Sequence, residues 1–320
     1  MAKRAVVRIP EVAGLSRRSF LGWLAAAAGA GAVPADARLQ SDTFLHRPIP
    51  SSGEQIPAVG LGTARTFDVG PDPRERGPLR EVLKRFVSLG GRVVDSSPMY
   101  GRAETVLGDL AAELGLQDRL FYATKVWISG RAAGVEQMRN SLRRLRVKRI
   151  DLMQVHNLVD WRTHIETLAH WKAEGRIRYL GITHYQVSAF DDLERVMRQE
   201  RLDFVQLPYS IQNRAAEKRL LPLAADRGIA VLVNEPFEKG ALFRVVRDQP
   251  LPAWATEFDC TSWAQYFLKF IVSHAAVTCP IPATSKPAHL VDNMQAGLGR
   301  LPDAEMRQAM VAHYERIRSG

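Results

Sequence analysis

The chain has 320 residues, 46% of them hydrophobic, and a formal charge of +10 from 44 Lys and Arg against 34 Asp and Glu. That apolar content is enough for one large buried core, and a single barrel-sized domain accounts for nearly all of the length. Two cysteines without C-x-x-C spacing exclude a cysteine metal framework, and no aromatic-interleaved basic run points to nucleic acid.

The first segment differs in composition from the rest. Ser16-Arg17-Arg18-Ser19-Phe20-Leu21 precedes an Ala/Gly-rich apolar stretch to Val33, and Ala35-Asp36-Ala37 offers small residues at signal-peptidase spacing. Paired arginines, a modest apolar core and an A-x-A site are similar to a twin-arginine export signal over residues 1–37, leaving 38–320 as one domain. A signal anchor or disordered tail is the bland alternative, but a spanning helix needs ~20 apolar residues. This leader carries five basic and two acidic residues, so +7 of the charge belongs to the remainder. Export through that pathway would move a folded chain, able to take a bound cofactor with it.

Between Phe44 and Gly60, short extended runs flank Ser51-Ser52-Gly53-Glu54, which predicts a β-hairpin. Eight strand-like runs follow, namely AVGLGT, RVVDSS, LFYATKV, DLMQVH, YLGITHY, FVQLPYS, AVLVNEPF and AVTCPIPA. Helical patterns such as LREVLKRFVSLGG, AETVLGDLAAEL, HIETLAHWKAEG and FDDLERVMRQE lie between them, with stops expected at Gly91, Gly175 and Gly228. The basic run MRNSLRRLRVKR reads as a solvated helix face whose Met138, Leu142 and Leu145 turn inward. Cys260 and Cys279 are expected as two unpaired, buried thiols. Strands alternating with helices argue for an α/β fold, an eight-stranded (β/α)8 TIM barrel with an N-terminal hairpin. A doubly wound open sheet is the other candidate, although the first strand ends GLGTA without a G-x-G-x-x-G turn.

Four chemistry-bearing residues fall at the ends of consecutive strands: Asp95, Tyr100, Lys125 and His156. A phenol has a pKa of roughly 10 and is a poor acid near neutrality. A neighbouring ammonium favours the phenolate, and a carboxylate paired to that ammonium keeps it charged and aimed. A tyrosine so placed can protonate an alkoxide as it forms, which hydride delivery to a carbonyl demands. The ordinary alternatives are a satisfied Asp–Lys ion pair and a core histidine.

With GLGT, D-x-x-x-x-Y-G, TK, VHN, a G-[IV]-[ST] turn and IPATSKPAHLVDN in this order, the chain resembles the aldo-keto reductases from about Phe44 to Ala296. The resemblance implies Tyr100 as general acid, Lys125 lowering its pKa, Asp95 holding Lys125, and His156 orienting the substrate carbonyl. It implies coenzyme contacts at Gly62, Thr63 and Asp95, and carboxamide contacts at Thr183, His184 and Gln206. His184 stands where the family has Asn. The family's aromatic-Ser-Pro-Leu stretch is here Asn234-Glu235-Pro236-Phe237, so the nicotinamide wall passes to Phe237 or Tyr209, and Glu235 brings a carboxylate toward the pyrophosphate. Thr284, Ser285, Lys286 and His289 are the 2′-phosphate candidates, with Asp292 and Asn293 on the adenine side. Ala283 and His289 fill slots where relatives often carry Lys and Arg, so NADP(H) is placed only modestly ahead of NAD(H).

Phe67, Met99 and Trp127 are the candidate apolar walls of an open substrate pocket suited to a small or extended aldehyde or ketone. No metal is expected, because no His/Asp/Glu cluster has ligand spacing. That absence also weighs against a non-redox barrel isomerase or hydrolase. A dinucleotide-holding redox sensor or regulatory subunit with little turnover is the alternative function. The expected state is a monomer with no stable membrane span. Its expected partners are a small carbonyl or alcohol substrate and the twin-arginine machinery, and its expected location is the periplasm.

Overall fold

In the computed structural model, residues 43–320 are described, so the expected leader lies outside the described residues. The hairpin comes first: β1 (His46–Pro48) pairs antiparallel with β2 (Gln55–Pro57), with Gly53 at φ 77° in the turn. Ile49 and Ile56 on it are fully buried. The hairpin is fastened to the start of one barrel strand, where the Tyr179 hydroxyl donates to Glu54 Oε2 at 2.7 Å and Arg178 also bonds that carboxylate.

Eight parallel strands follow: β3 (Leu61–Gly62), β4 (Val93–Asp95), β5 (Phe121–Val126), β6 (Ile150–His156), β7 (Ile177–Thr183), β8 (Phe204–Pro208), β9 (Ala230–Asn234) and β10 (Cys279–Pro280). Each pairs with its sequence neighbour. Around them stand α1 (Pro73–Ser88), α2 (Ala103–Glu113), α3 (Arg131–Leu145), α4 (Trp161–Ala173), α5 (Phe190–Gln199), α6 (Leu220–Arg227), α7 (Ala241–Val245), α8 (Trp263–Val272), α9 (Pro287–Gln295) and α10 (Ala304–Ser319). The expected barrel and hairpin are therefore the observed architecture, and the open doubly wound sheet is not.

The hoop closes between first and last strands. Gly60 N–H donates to Pro280 O at 2.9 Å, Gly62 N–H donates to Pro282 O at 3.0 Å, and Gly62 bridges Ala283. Glycine is required at this seam, since a Cβ on Gly62 would sit 2.6 Å from the carbonyl oxygen of Ile281.

Strand periodicity divides the core in two. Val93, Phe121, Ala123, Leu152, Tyr179, Phe204, Ala230, Leu232, Cys279 and Ile281 meet inside the barrel with Ile49 and Ile56. Their outward neighbours, among them Val94, Tyr122, Met153, Val155, Ile182, Val205 and Val231, pack with the helices. The inward series is apolar at the hairpin end and turns polar at the strands' C-terminal ends. There the same alternation places Asp95, Lys125, Gln154, His156, Thr183, Gln206 and Asn234.

Several smaller expectations resolve here. Gly175 and Gly228 follow their helices at φ 72° and 64°, but after α1 the left-handed residue is Gly90 (φ 88°), not Gly91. Gly91 is needed for space instead, because a Cβ there would meet the Phe86 ring at 2.3 Å. Met138 and Leu145 are buried on α3, Leu142 is half-buried, and Arg139, Arg143, Arg144 and Arg146 are exposed. Both cysteines are free and buried. Among the described residues no helix is long and apolar enough to cross a membrane.

Candidate active site

The polar ends of the strands face a cavity of about 800 Å³. At its base Lys125 is fully buried, and its ammonium donates to Asp95 Oδ2 at 2.5 Å and to Ser96 O at 2.7 Å. The other carboxylate oxygen of Asp95 accepts from Gln206 Nε2 at 2.8 Å and Gln154 Nε2 at 3.2 Å. Asp95 is thus a buried anion held by one cation and two amides. Such an arrangement is tolerable only because every charge has a partner.

Tyr100 lies over this pair, with Lys125 Nζ 5.2 Å from its ring centroid. The short connection after β4 brings it there: Tyr100 N–H donates to Ser97 O at 3.0 Å, turning the chain back toward the strand end. Burial raises the Tyr100 pKa, and Lys125 pulls it down by less. The lowering expected from the ammonium is present but outweighed in this state. For Lys125, burial favours loss of the proton, while Asp95 and Tyr100 together hold it above its ordinary value.

His156 closes the group. Its ring meets Tyr100 edge-on at 6.0 Å between centroids, and Ser97 Oγ lies 3.1 Å from its Nδ1. Burial, reinforced by Lys125 and His184, lowers its pKa to about 2, so the ring is neutral across the physiological range. A neutral imidazole with one nitrogen engaged can present the other to a carbonyl oxygen.

The rest of the cavity wall includes Gly62, Thr63, Thr183, Gln206, Asn234, Pro236 and Phe237, as expected. Thr183 Oγ1 donates to Gln206 Oε1 at 3.1 Å, and Asn234 Nδ2 donates to His184 O at 3.4 Å. Asn234 Oδ1 is hidden from water without a donor. An orphaned acceptor beside a polar cavity suits an amide-bearing ligand. With the apolar Phe237, Phe243 and Ile281 nearby, the wall fits a nicotinamide group.

Other expected residues stand elsewhere. The His184 ring lies outside the lining, accepting from Gln186 N at 3.1 Å and stacking on Tyr185 at 5.6 Å. Tyr209 is in the core, bonded to Glu217 and Arg307, and forms no part of the wall. Phe67 is fully buried, whereas Met99 is exposed and lines the cavity. Trp127 is exposed at the edge, 6.3 Å from the His156 ring. Ser285, Lys286 and His289 are exposed at the start of α9, just past the lining residue Ala283. Thr284 is buried and accepts from Lys286 N, and Asn293 is buried too. Asp292 accepts from Ser262 Oγ at 2.8 Å and Gln265 Nε2 at 2.7 Å.

Sequence reasoning passed over Ser97, Gln154, Asn157, Tyr185, Lys239 and Phe243. Gln154 had a signal, sitting two residues before His156 on one strand and so on the same face. The others lie on connections without periodicity.

The sequence profile described as the Aldo/keto reductase family matches residues 58–312. The chain belongs to that family. It is similar to the Aldo-keto reductase YhdN of Bacillus subtilis, 29% identical over 61% of this chain and 62% of that protein's length. It is also similar to the Methylglyoxal reductase YeaE of Escherichia coli, 27% identical over 80% of this chain and 90% of that one. Among solved structures, an aldo/keto reductase from Klebsiella pneumoniae in complex with NADP and acetate superposes with a TM-score of 0.68. That pair is 25% identical over 82% of this chain and 93% of the other.

Proposed function

We propose that this aldo/keto reductase family member reduces a small aldehyde or ketone to the alcohol with a nicotinamide dinucleotide. The observation that carries this is the contact of Asp95, Lys125, Tyr100 and His156 at the base of one cavity. The NADP-bound Klebsiella structure and the relative named a methylglyoxal reductase support the coenzyme and the carbonyl substrate.

The dinucleotide supplies the hydride when bound. Thr183, Gln206 and Asn234 hold its carboxamide, with Gly62, Thr63, Pro236 and Phe237 along the ring and ribose. Tyr100 delivers its hydroxyl proton to the carbonyl oxygen as negative charge develops there. Lys125 stabilises the phenolate that remains, which makes Tyr100 a stronger acid during the reaction than at rest. Asp95, braced by Gln154 and Gln206, fixes the ammonium. His156 donates a hydrogen bond to the same carbonyl oxygen and orients it. Met99 and Trp127 bound the space for the substrate's carbon chain.

Thr284, Ser285 and Lys286 favour NADP(H) modestly over NAD(H), because a point charge and two hydroxyls hold a 2′-phosphate without an arginine fork. The protein acts as a monomer and reaches the periplasm through the twin-arginine route. Lysines in place of Arg17 and Arg18 are expected to retain it in the cytoplasm.

The test is a fluorescence titration of the purified chain with NADPH and NADH, followed by absorbance on a panel of small aldehydes and ketones. Saturable binding with steady coenzyme oxidation is expected. Tight binding without turnover on any substrate would shift the function to a sensor, and no binding would remove the dinucleotide.

A further inference from the structure

At the end of β9 a carboxylate enters the wall of the reaction cavity. Glu235 lines the cavity, with its side chain 21% exposed, and its backbone is left-handed at φ 51°. L-residues adopt that conformation only where their surroundings impose it. Here the Glu238 N–H donates to Glu235 O at 2.9 Å, and Lys239 Nζ pairs with Glu235 Oε1 at 3.0 Å. Lys239 is itself left-handed at φ 54°, and its ammonium stands 5.3 Å from the Tyr185 ring centroid. The loop thus fixes one carboxylate on the wall and gives it one partner, which is more than half exposed.

The charges near the reaction centre make this carboxylate count. Asp95 is cancelled by Lys125 at 2.5 Å, and His156 is neutral. Glu235 is near enough to act on Tyr100, which its charge pushes toward the protonated form. Arg65 and Asp68, the other charged lining groups, are exposed on the connection after β3.

We propose that Glu235 makes the cavity discriminate between the two redox forms of the coenzyme, holding the oxidised, cationic nicotinamide more tightly than the reduced, neutral one. The inference rests on the dinucleotide reading above. In the reduction, two electrons and a proton leave the coenzyme as hydride for the carbonyl carbon, and Tyr100 gives its proton to the oxygen. The ring is left with one positive charge. A fixed, partly desolvated carboxylate attracts that charge and has no such attraction for the neutral ring. Repulsion between Glu235 and the phosphates is common to both forms and cancels in their ratio. Lys239 weakens the effect by neutralising part of the carboxylate's field.

The experiment measures Kd for NADP+ and NADPH, by protein fluorescence, in the wild-type chain, Glu235→Gln and Lys239→Met, with thermal melts to confirm folding. Glu235→Gln is expected to weaken NADP+ about tenfold while NADPH stays within about twofold. Lys239→Met is expected to move the ratio the opposite way, toward NADP+, even if both forms bind less tightly. Wild-type protein that binds both forms, with a ratio unmoved by Glu235→Gln, overturns this inference alone. Wild-type protein that binds neither form defeats the dinucleotide reading and this inference with it.

Discussion

Replacing Lys125 with Met keeps most of the side chain's volume and deletes a fully buried ammonium. Asp95, itself 2% exposed, then keeps two amide donors but loses its only cation at 2.5 Å. Breaking a buried pair from one side leaves an uncompensated charge, typically at a cost of about 3–5 kcal/mol. In a chain of this size about 2 °C of Tm accompanies each kcal/mol, so Lys125→Met should melt about 6–10 °C lower. Asp95→Asn combined with Lys125→Met removes both charges and should recover at least about half of that loss. Scanning calorimetry at neutral pH on the wild type, both single variants and the double variant measures this directly. A Lys125→Met Tm within about 2 °C of wild type, or a double variant no more stable than the single one, would refute the ion-pair reasoning.

Tyr100→Phe removes the proton donor but none of the contacts assigned to the dinucleotide. Turnover should fall by about 10²–10⁴ while coenzyme Kd, read by fluorescence, stays within about twofold. His156 has a folded-state pKa of about 2 against an ordinary 6.5, so the fold requires the neutral ring. Its contribution to stability is complete above pH 6.5 and is lost as pH falls below it, by about 1.4 kcal/mol per unit. Urea unfolding at about pH 6 and about pH 4.5 should therefore show a shallower pH dependence for His156→Gln than for wild type. Phe67→Ala should destabilise by about 3–5 kcal/mol without altering substrate KM, whereas Met99→Ala should raise KM and change stability by less than about 0.5 kcal/mol. Chemical denaturation and steady-state kinetics on the two variants separate a core residue from a wall residue.

The barrel was legible because each strand obeys one rule along its length. Val93, Phe121, Leu152 and Phe204 point inward and are apolar, and on the same faces Asp95, Lys125, Gln154, His156 and Gln206 follow toward the cavity. Period two and strand ends therefore located the reacting groups before any coordinates. The connections obey no such rule. Phe67 sits four residues beyond Thr63, and its N–H donates to Thr63 O at 3.1 Å, a turn that swings the ring into the core rather than the cavity. His184 is carried to the right strand end, but its ring accepts from Gln186 N two residues on and faces its own loop. Tyr185, Lys239 and Phe243 reach the cavity from segments whose course is set by left-handed residues such as Glu235, Glu238 and Lys239. Burial had a similar effect on the electrostatics. Sequence adjacency suggests a depressed Tyr100 pKa, whereas desolvation, a property of the assembled site, reverses the sign.

The glycine seam ties the order of synthesis to the order of assembly. A ribosome releases β3 long before β10, so the donors on Gly60 and Gly62 must wait for carbonyls on Pro280 and Pro282. Until then the nascent sheet has two open edges, and β3, only two residues long, has one neighbour to hold it. Parallel pairing across so long a separation is slow and favours late, all-at-once closure. Chain release, rather than the emergence of any one catalytic residue, then sets the moment at which Asp95 and Lys125 are enclosed. A chain halted before Cys279 would display a complete set of catalytic side chains on a sheet that cannot yet bury them.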